Sequence, residues 1–133
     1  NFEEIEDALN HVDPEKTTLL HCVSAYPCLP ENANLPRILK LKEVSRFVGF
    51  SDHTPGIEVA KASLDFDITV LEKHFTTDQS LPGRDNKFAI IPKELNELKS
   101  YIKVRSDARK FHGPNFQDIE LESRNFYRGR FNG

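Results

Sequence analysis

Two histidines stand where apolar, strand-forming runs turn abruptly polar: Gly49-Phe50-Ser51-Asp52-His53-Thr54 and Leu71-Glu72-Lys73-His74-Phe75-Thr76-Thr77-Asp78. Each has carboxylates beside it. Polar groups at the ends of buried strands are costly unless they bind something. Side chains alternate along a strand, so Ser51 and His53 share a face with Asp52 opposite. By the same rule Ile68, Val70, Glu72 and His74 share one face, and Thr69, Leu71, Lys73 and Phe75 the other. If the first faces point inward, His53 and His74 converge. Two imidazoles with waters and a substrate oxygen make an open site for a divalent metal, and such a metal polarises a carbonyl.

The elements that must deliver these groups are legible as an alternation. Apolar residues at Phe2, Ile5, Ala8, Leu9 and Val12 recur at helical spacing and predict a helix over Phe2–Val12, stopped at Asp13-Pro14. Thr17–Val23, Phe47–Ser51 and Ile68–Phe75 are predicted strands. Leu35–Lys42 is a short helix with Pro36 in its first turn. Thr54-Pro55 has the form of an N-cap before a helix-opening proline, with the helix continuing through Leu64. Thr76–Ala89 is a long loop, a length usually associated with function. Pro92 opens a last helix through Ile102. A helix followed by three strand–helix units predicts an α/β fold with parallel strands and right-handed crossovers. Every polar cluster follows a strand and precedes a helix, which is the end where (β/α) barrels and open α/β sheets place their sites.

Composition narrows the classes. The chain has 133 residues, 38% hydrophobic and 29% charged, with net charge −3, which fits one soluble core. No basic or acidic block argues for nucleic acid, and no apolar run approaches the roughly 20 residues of a membrane span. The opening Asn1-Phe2-Glu3-Glu4 is acidic, unlike a secretory signal. Cys22 and Cys28 match no zinc spacing and are expected as reduced thiols in a cytoplasmic protein. No glycine-rich nucleotide loop is present.

Other candidates carry plainer alternatives. Ser24 and Tyr26 end the first strand and offer a hydroxyl and a phenol to a ligand, or simply cap a turn. Asp85, in Leu81-Pro82-Gly83-Arg84-Asp85, is placed to accept bonds from sugar hydroxyls, or sits in a solvated turn. Glu72 is an active-site carboxylate or merely the partner of Lys73 or a helix residue. His21 is expected as a core histidine, and His11 and His112 receive no role.

The runs Leu19-Leu20-His21-Cys22-Val23-Ser24-Ala25-Tyr26-Pro27, Gly49 through Gly56, Glu72 through Asp78, Pro82-Gly83-Arg84-Asp85 and Pro92-Lys93-Glu94-Leu95 together resemble the sialic acid synthase family, over roughly Phe2 to Ile102. That resemblance implies part of a (β/α)8 TIM barrel, its last three units plus a preceding helix. Residues 1–104 would be the C-terminal half of the barrel. Residues 105–133 would be a tail or linker toward an antifreeze-like domain.

It further implies condensation of phosphoenolpyruvate with N-acetylmannosamine or a related amino sugar. Carbon 3 of the enol ether attacks the open-chain aldehyde, water adds at carbon 2, and the tetrahedral intermediate expels phosphate. By resemblance His53 and His74 hold Mn2+ or Mg2+, Ser51 and Tyr26 contact phosphoenolpyruvate, Ser24 is a substrate-binding position where some members carry Asn, Asp85 holds the sugar hydroxyls or a metal-bound water, and Glu72 supports the site. Many members follow the equivalent of Asp85 with His and, shortly after, Ser. Asn86-Lys87-Phe88-Ala89 departs from this and favours a different nonulosonic acid or surface-polysaccharide sugar.

A whole barrel needs about 250 residues. The chain is therefore expected to be inactive alone, and to associate with itself or with the missing barrel half. The rival expectations are a metal-dependent hydrolase or lyase on a similar barrel, and a non-catalytic α/β piece that only binds or assembles.

Overall fold

Leu19–Cys22 (β1), Val48–Asp52 (β2) and Leu71–Lys73 (β3) form a three-stranded parallel sheet in that order. The computed structural model describes residues 1–130. The described residues divide into two compact units, 1–103 and 104–130. The helices of the first are Phe2–Leu9 (α1), Arg37–Leu41 (α2), Glu58–Ser63 (α3) and the start of Pro92–Ala108 (α4). Residues Asp118–Tyr127 form α5 in the second.

Register sets His21 opposite Phe50, Ser51 opposite Glu72, and Asp52 opposite Lys73. One face of β2, with Val48 and Phe50, packs on Ile38 and Leu41 of α2, while Leu19, Val59, Ile68 and Leu71 close the edges. Ile57, Ala60, Ile90 and Leu98 make a second cluster joined to the first through Leu71. Every residue of β2 is buried, as expected of a central parallel strand. His21 is a core histidine as the sequence suggests: it stacks on Phe50, and its Nε2 lies 2.7 Å from the Ala33 carbonyl oxygen.

The predicted strands and helices lie where the sequence places them, with shifted limits: α4, for one, runs on to Ala108 rather than ending at Ile102. Four further differences have a physical reason. The first helix ends at Leu9 rather than Val12; it buries no residue fully, so nothing holds a further turn. The third strand is regular only over Leu71–Lys73, and beyond it Phe75 pairs in parallel with Ile90. The Ile90 N–H donates to the His74 oxygen at 2.8 Å and the Thr76 N–H to the Ile90 oxygen at 2.9 Å, so the chain returns beside the strand after its long loop.

Thr54 does not cap α3. Gly56, at φ +71°, turns the chain through the left-handed region, and the helix starts only at Glu58, after Ile57. Lastly, the segment after Arg105 contains α5, capped by Gln117, whose N–H donates to Glu120 Oε2 at 2.7 Å. All its residues are exposed, which is why hydrophobic periodicity did not reveal it.

Gly49 sits where β1 and β3 close over β2. A Cβ there would lie 2.4 Å from Leu20 Cδ2 and 2.5 Å from the Val70 oxygen. Gly49→Ala should therefore destabilise the chain by about 1–3 kcal/mol, read as a lower urea midpoint; an unchanged midpoint would show that the three strands do not pack this closely.

Candidate functional site

The open face of the sheet collects the polar strand ends. Ser51, His53, Glu72, Lys73 and His74 line a cleft of about 170 Å³. The His53 and His74 rings converge, with centroids 5.1 Å apart at 59°. His53 is 8% exposed and His74 is half-buried. Ser51 Oγ donates to Glu72 Oε1 at 2.6 Å, so the carboxylate beside the rings is oriented by a hydroxyl from the neighbouring strand. Glu72 is not the partner of Lys73: alternation sends Lys73 to the other face, where it pairs with Asp52 at 2.9 Å.

Aromatic walls hold the imidazoles. The Tyr26 ring meets His53 edge-on at 4.6 Å, and Phe88 meets His74 at 5.3 Å. Cys22 Sγ lies 3.7 Å from His53 Nδ1. If that Nδ1 carries its proton toward the sulfur, Nε2 is left as a metal-binding lone pair. Burial, and then the charge of His74, hold His53 below its ordinary value near 6.5. The neutral form that ligates metals is thereby favoured.

Asp85 lies beside this cleft rather than in it. With Tyr26 and Arg84 it lines a second cleft of about 190 Å³. Tyr26 belongs to both regions, because its ring also rests on His53. Ser24 is exposed and lines neither cleft. The loop carrying Asp85 is tied internally: the Asn86 side chain donates to the Leu81 and Pro82 oxygens at 3.0 and 3.1 Å, and Gln79 Nε2 donates to the Ala89 oxygen at 2.9 Å. Asn86 therefore has a structural task in this loop.

Two imidazoles and water-accessible space fit an open metal site. Among the described residues no group of three or more His, Cys, Asp or Glu is placed to hold an ion, so the remaining positions would fall to water and substrate oxygens. Sequence reasoning missed Cys22, Phe88 and the Asp52–Lys73 pair. The first two make contacts across chain separations that no local pattern encodes. The third was open to inspection, since the facing rule already set Asp52 and Lys73 off the histidine face.

A model of the NeuB family matches residues 1–112. The chain belongs to the NeuB family. This NeuB chain is 38% identical over 109 residues to the N,N'-diacetyllegionaminic acid synthase of Campylobacter jejuni, covering 77% of the chain and 33% of the relative. It is 33% identical to the N-acetylneuraminate-9-phosphate synthase of Drosophila melanogaster, covering 75% and 27%. The crystal structure of an N-acetylneuraminic acid (sialic acid) synthetase from Leptospira borgpetersenii, in complex with citrate, superposes with a TM-score of 0.77 at 32% identity, covering 98% of this chain and 47% of that one. The NeuB chain thus spans about a third of the length of these curated relatives. Its three parallel strands are part of a (β/α)8 barrel, as the sequence implies. No described helix is long and apolar enough to cross a membrane.

Burial also lowers His21. For both histidines the unfolded chain binds protons more readily, so stability is full above about pH 6.5 and falls as pH drops below it. Urea midpoints at about pH 7.5 and pH 5.5 should show this fall. His53→Gln should shrink it, and equal midpoints in the wild type would contradict the desolvation of both rings.

Proposed function

We propose that this chain carries part of the active site of a synthase that condenses phosphoenolpyruvate with an amino sugar, forming a nonulosonic acid and releasing phosphate. The observation that carries the reading is the convergence of His53 and His74 above the Ser51–Glu72 hydrogen bond, at the ends of adjacent parallel strands. Membership of the NeuB family supports the reaction class. In this reading His53 and His74 hold a divalent cation, Mn2+ or Mg2+. When bound, that cation supplies polarisation of the sugar aldehyde.

The protein groups bind and orient. Ser51 donates its proton to Glu72 and presents its oxygen to the cleft, where phosphoenolpyruvate would lie. Glu72 is held ready as the supporting carboxylate. The Tyr26 ring braces His53 and borders the second cleft, linking the two substrate regions. Asp85, in that second cleft, accepts from the sugar hydroxyls. Ser24, exposed at the strand end, would reach substrate only with the rest of the barrel in place. Asn86, standing where many members have His, favours an acceptor other than N-acetylmannosamine, among the sugars of legionaminic type or of surface polysaccharides.

In this reading further phosphate-binding groups would come from other strands of the barrel, so the isolated chain would be inactive and would assemble with a further barrel half or a second copy. Strands β1 and β3 leave edges for such partners, and Val70 is 42% exposed on the open face. Cys22 and Cys28 are both free thiols, which supports a cytoplasmic location.

Calorimetric titration with Mn2+ tests the site. His53→Ala and His74→Ala should each weaken binding at least about a hundredfold, since loss of a mere outer partner costs 10–100-fold. Equal binding by wild type and both variants would leave an assembly module. Binding without dependence of the whole protein's activity on phosphoenolpyruvate would instead indicate a hydrolase or lyase.

A further inference from the structure

Behind the cleft, on the helix-facing side of the sheet, lies an ion pair. Asp52 and Lys73 are in register across β2 and β3. Lys73 Nζ stands 2.9 Å from Asp52 Oδ2, with the side chains 4% and 0% exposed respectively. Both groups also grip the same peptide segment. Asp52 Oδ1 accepts from the Thr54 N–H at 2.8 Å, and Lys73 Nζ donates to the Thr54 carbonyl oxygen at 2.6 Å. The residues on either side of His53 are therefore tied together, and the residue before His74 is tied to them.

Stability alone explains this arrangement poorly. A buried ion pair is often matched or bettered by apolar side chains of similar volume. The same knot also contains the Thr54 Oγ1, buried without a partner, another group an apolar core would not keep. What the pair supplies that apolar packing does not is direction. It clamps two strands at one register, at the level where each releases a histidine to the opposite face.

We propose that Asp52 and Lys73 are positioning residues for the His53–His74 site, fixing from the far side of the sheet the backbone geometry that makes the two rings converge. The pair acts through the main chain and is not a catalytic group. The proposal rests on the metal reading only for its binding arm; the ring geometry tests it independently.

The test uses the 133-residue chain with Asp52→Leu/Lys73→Met, which replaces the pair by apolar side chains. A second variant, Asp52→Asn/Lys73→Gln, keeps the shape but removes the charges and serves if the first does not fold. Three quantities are read: melting temperature, nuclear Overhauser contacts between the His53 and His74 ring protons, and Mn2+ affinity. A folded variant with a wild-type melting temperature should lose or sharply weaken the inter-ring contacts and bind Mn2+ about 10–100-fold more weakly. A purely structural pair would move the melting temperature and leave the ring contacts intact in every folded variant, and that result would overturn the proposal. Wild-type ring contacts in a chain that binds no Mn2+ would remove the metal reading and leave the positioning claim to be decided by the contacts alone.

Discussion

Adjacent residues of a strand cannot share a face, and in β2 and β3 this sorts water-seeking chemistry from the core. Ser51, His53, Glu72 and His74 go to the open side, where they line one cleft. Asp52 and Lys73 go to the side covered by helices, where a charge survives only with a partner; each is the other's partner. A shift of one residue in the pairing of β2 with β3 would separate Asp52 from Lys73 and Ser51 from Glu72 at once. Register and site therefore stand or fall together, and the close approach of Leu20 and Val70 over Gly49 helps keep that register.

The same alternation made much of the arrangement legible in the sequence. Three apolar runs separated by helical patterns yield parallel strands. The abrupt polar endings mark the strand ends, and counting by twos puts both histidines on one face. What escaped had no periodic signature. A Thr-Pro dipeptide has the composition of a helix start, yet Gly56 in the left-handed region delays α3 to Glu58, and Thr54 is drawn instead into the Asp52–Lys73 knot. The pairing of Phe75 with Ile90 rests on one residue after a long loop, too short a signal for any pattern. The α5 helix buries nothing, so only its capping residues betray it.

Within the site, first contacts were easier to foresee than supporting ones. His53, His74, Ser51 and Glu72 fall together because their positions follow from alternation alone. Asp85 and Tyr26 meet at a second cleft because the Thr76–Ala89 loop folds back on itself through Asn86 and Gln79, and loop geometry is not written in residue spacing. Ser24 follows the strand-end rule but emerges exposed, which shows that the rule locates an end of the sheet without locating a cavity. Phe88 and Cys22 reach the imidazoles from distant parts of the chain, and only the folded packing reveals them.

The central claim is that the rings of His53 and His74 aim at one point where a cation can sit. Pulsed electron paramagnetic resonance on the chain loaded with Mn2+ reads this directly, because each imidazole nitrogen bound to the ion modulates the electron spin echo. Two imidazole nitrogens should be detected in the wild type, and one in either His53→Ala or His74→Ala. Bound Mn2+ with no imidazole coupling, or with a coupling that survives both substitutions together, would contradict the account.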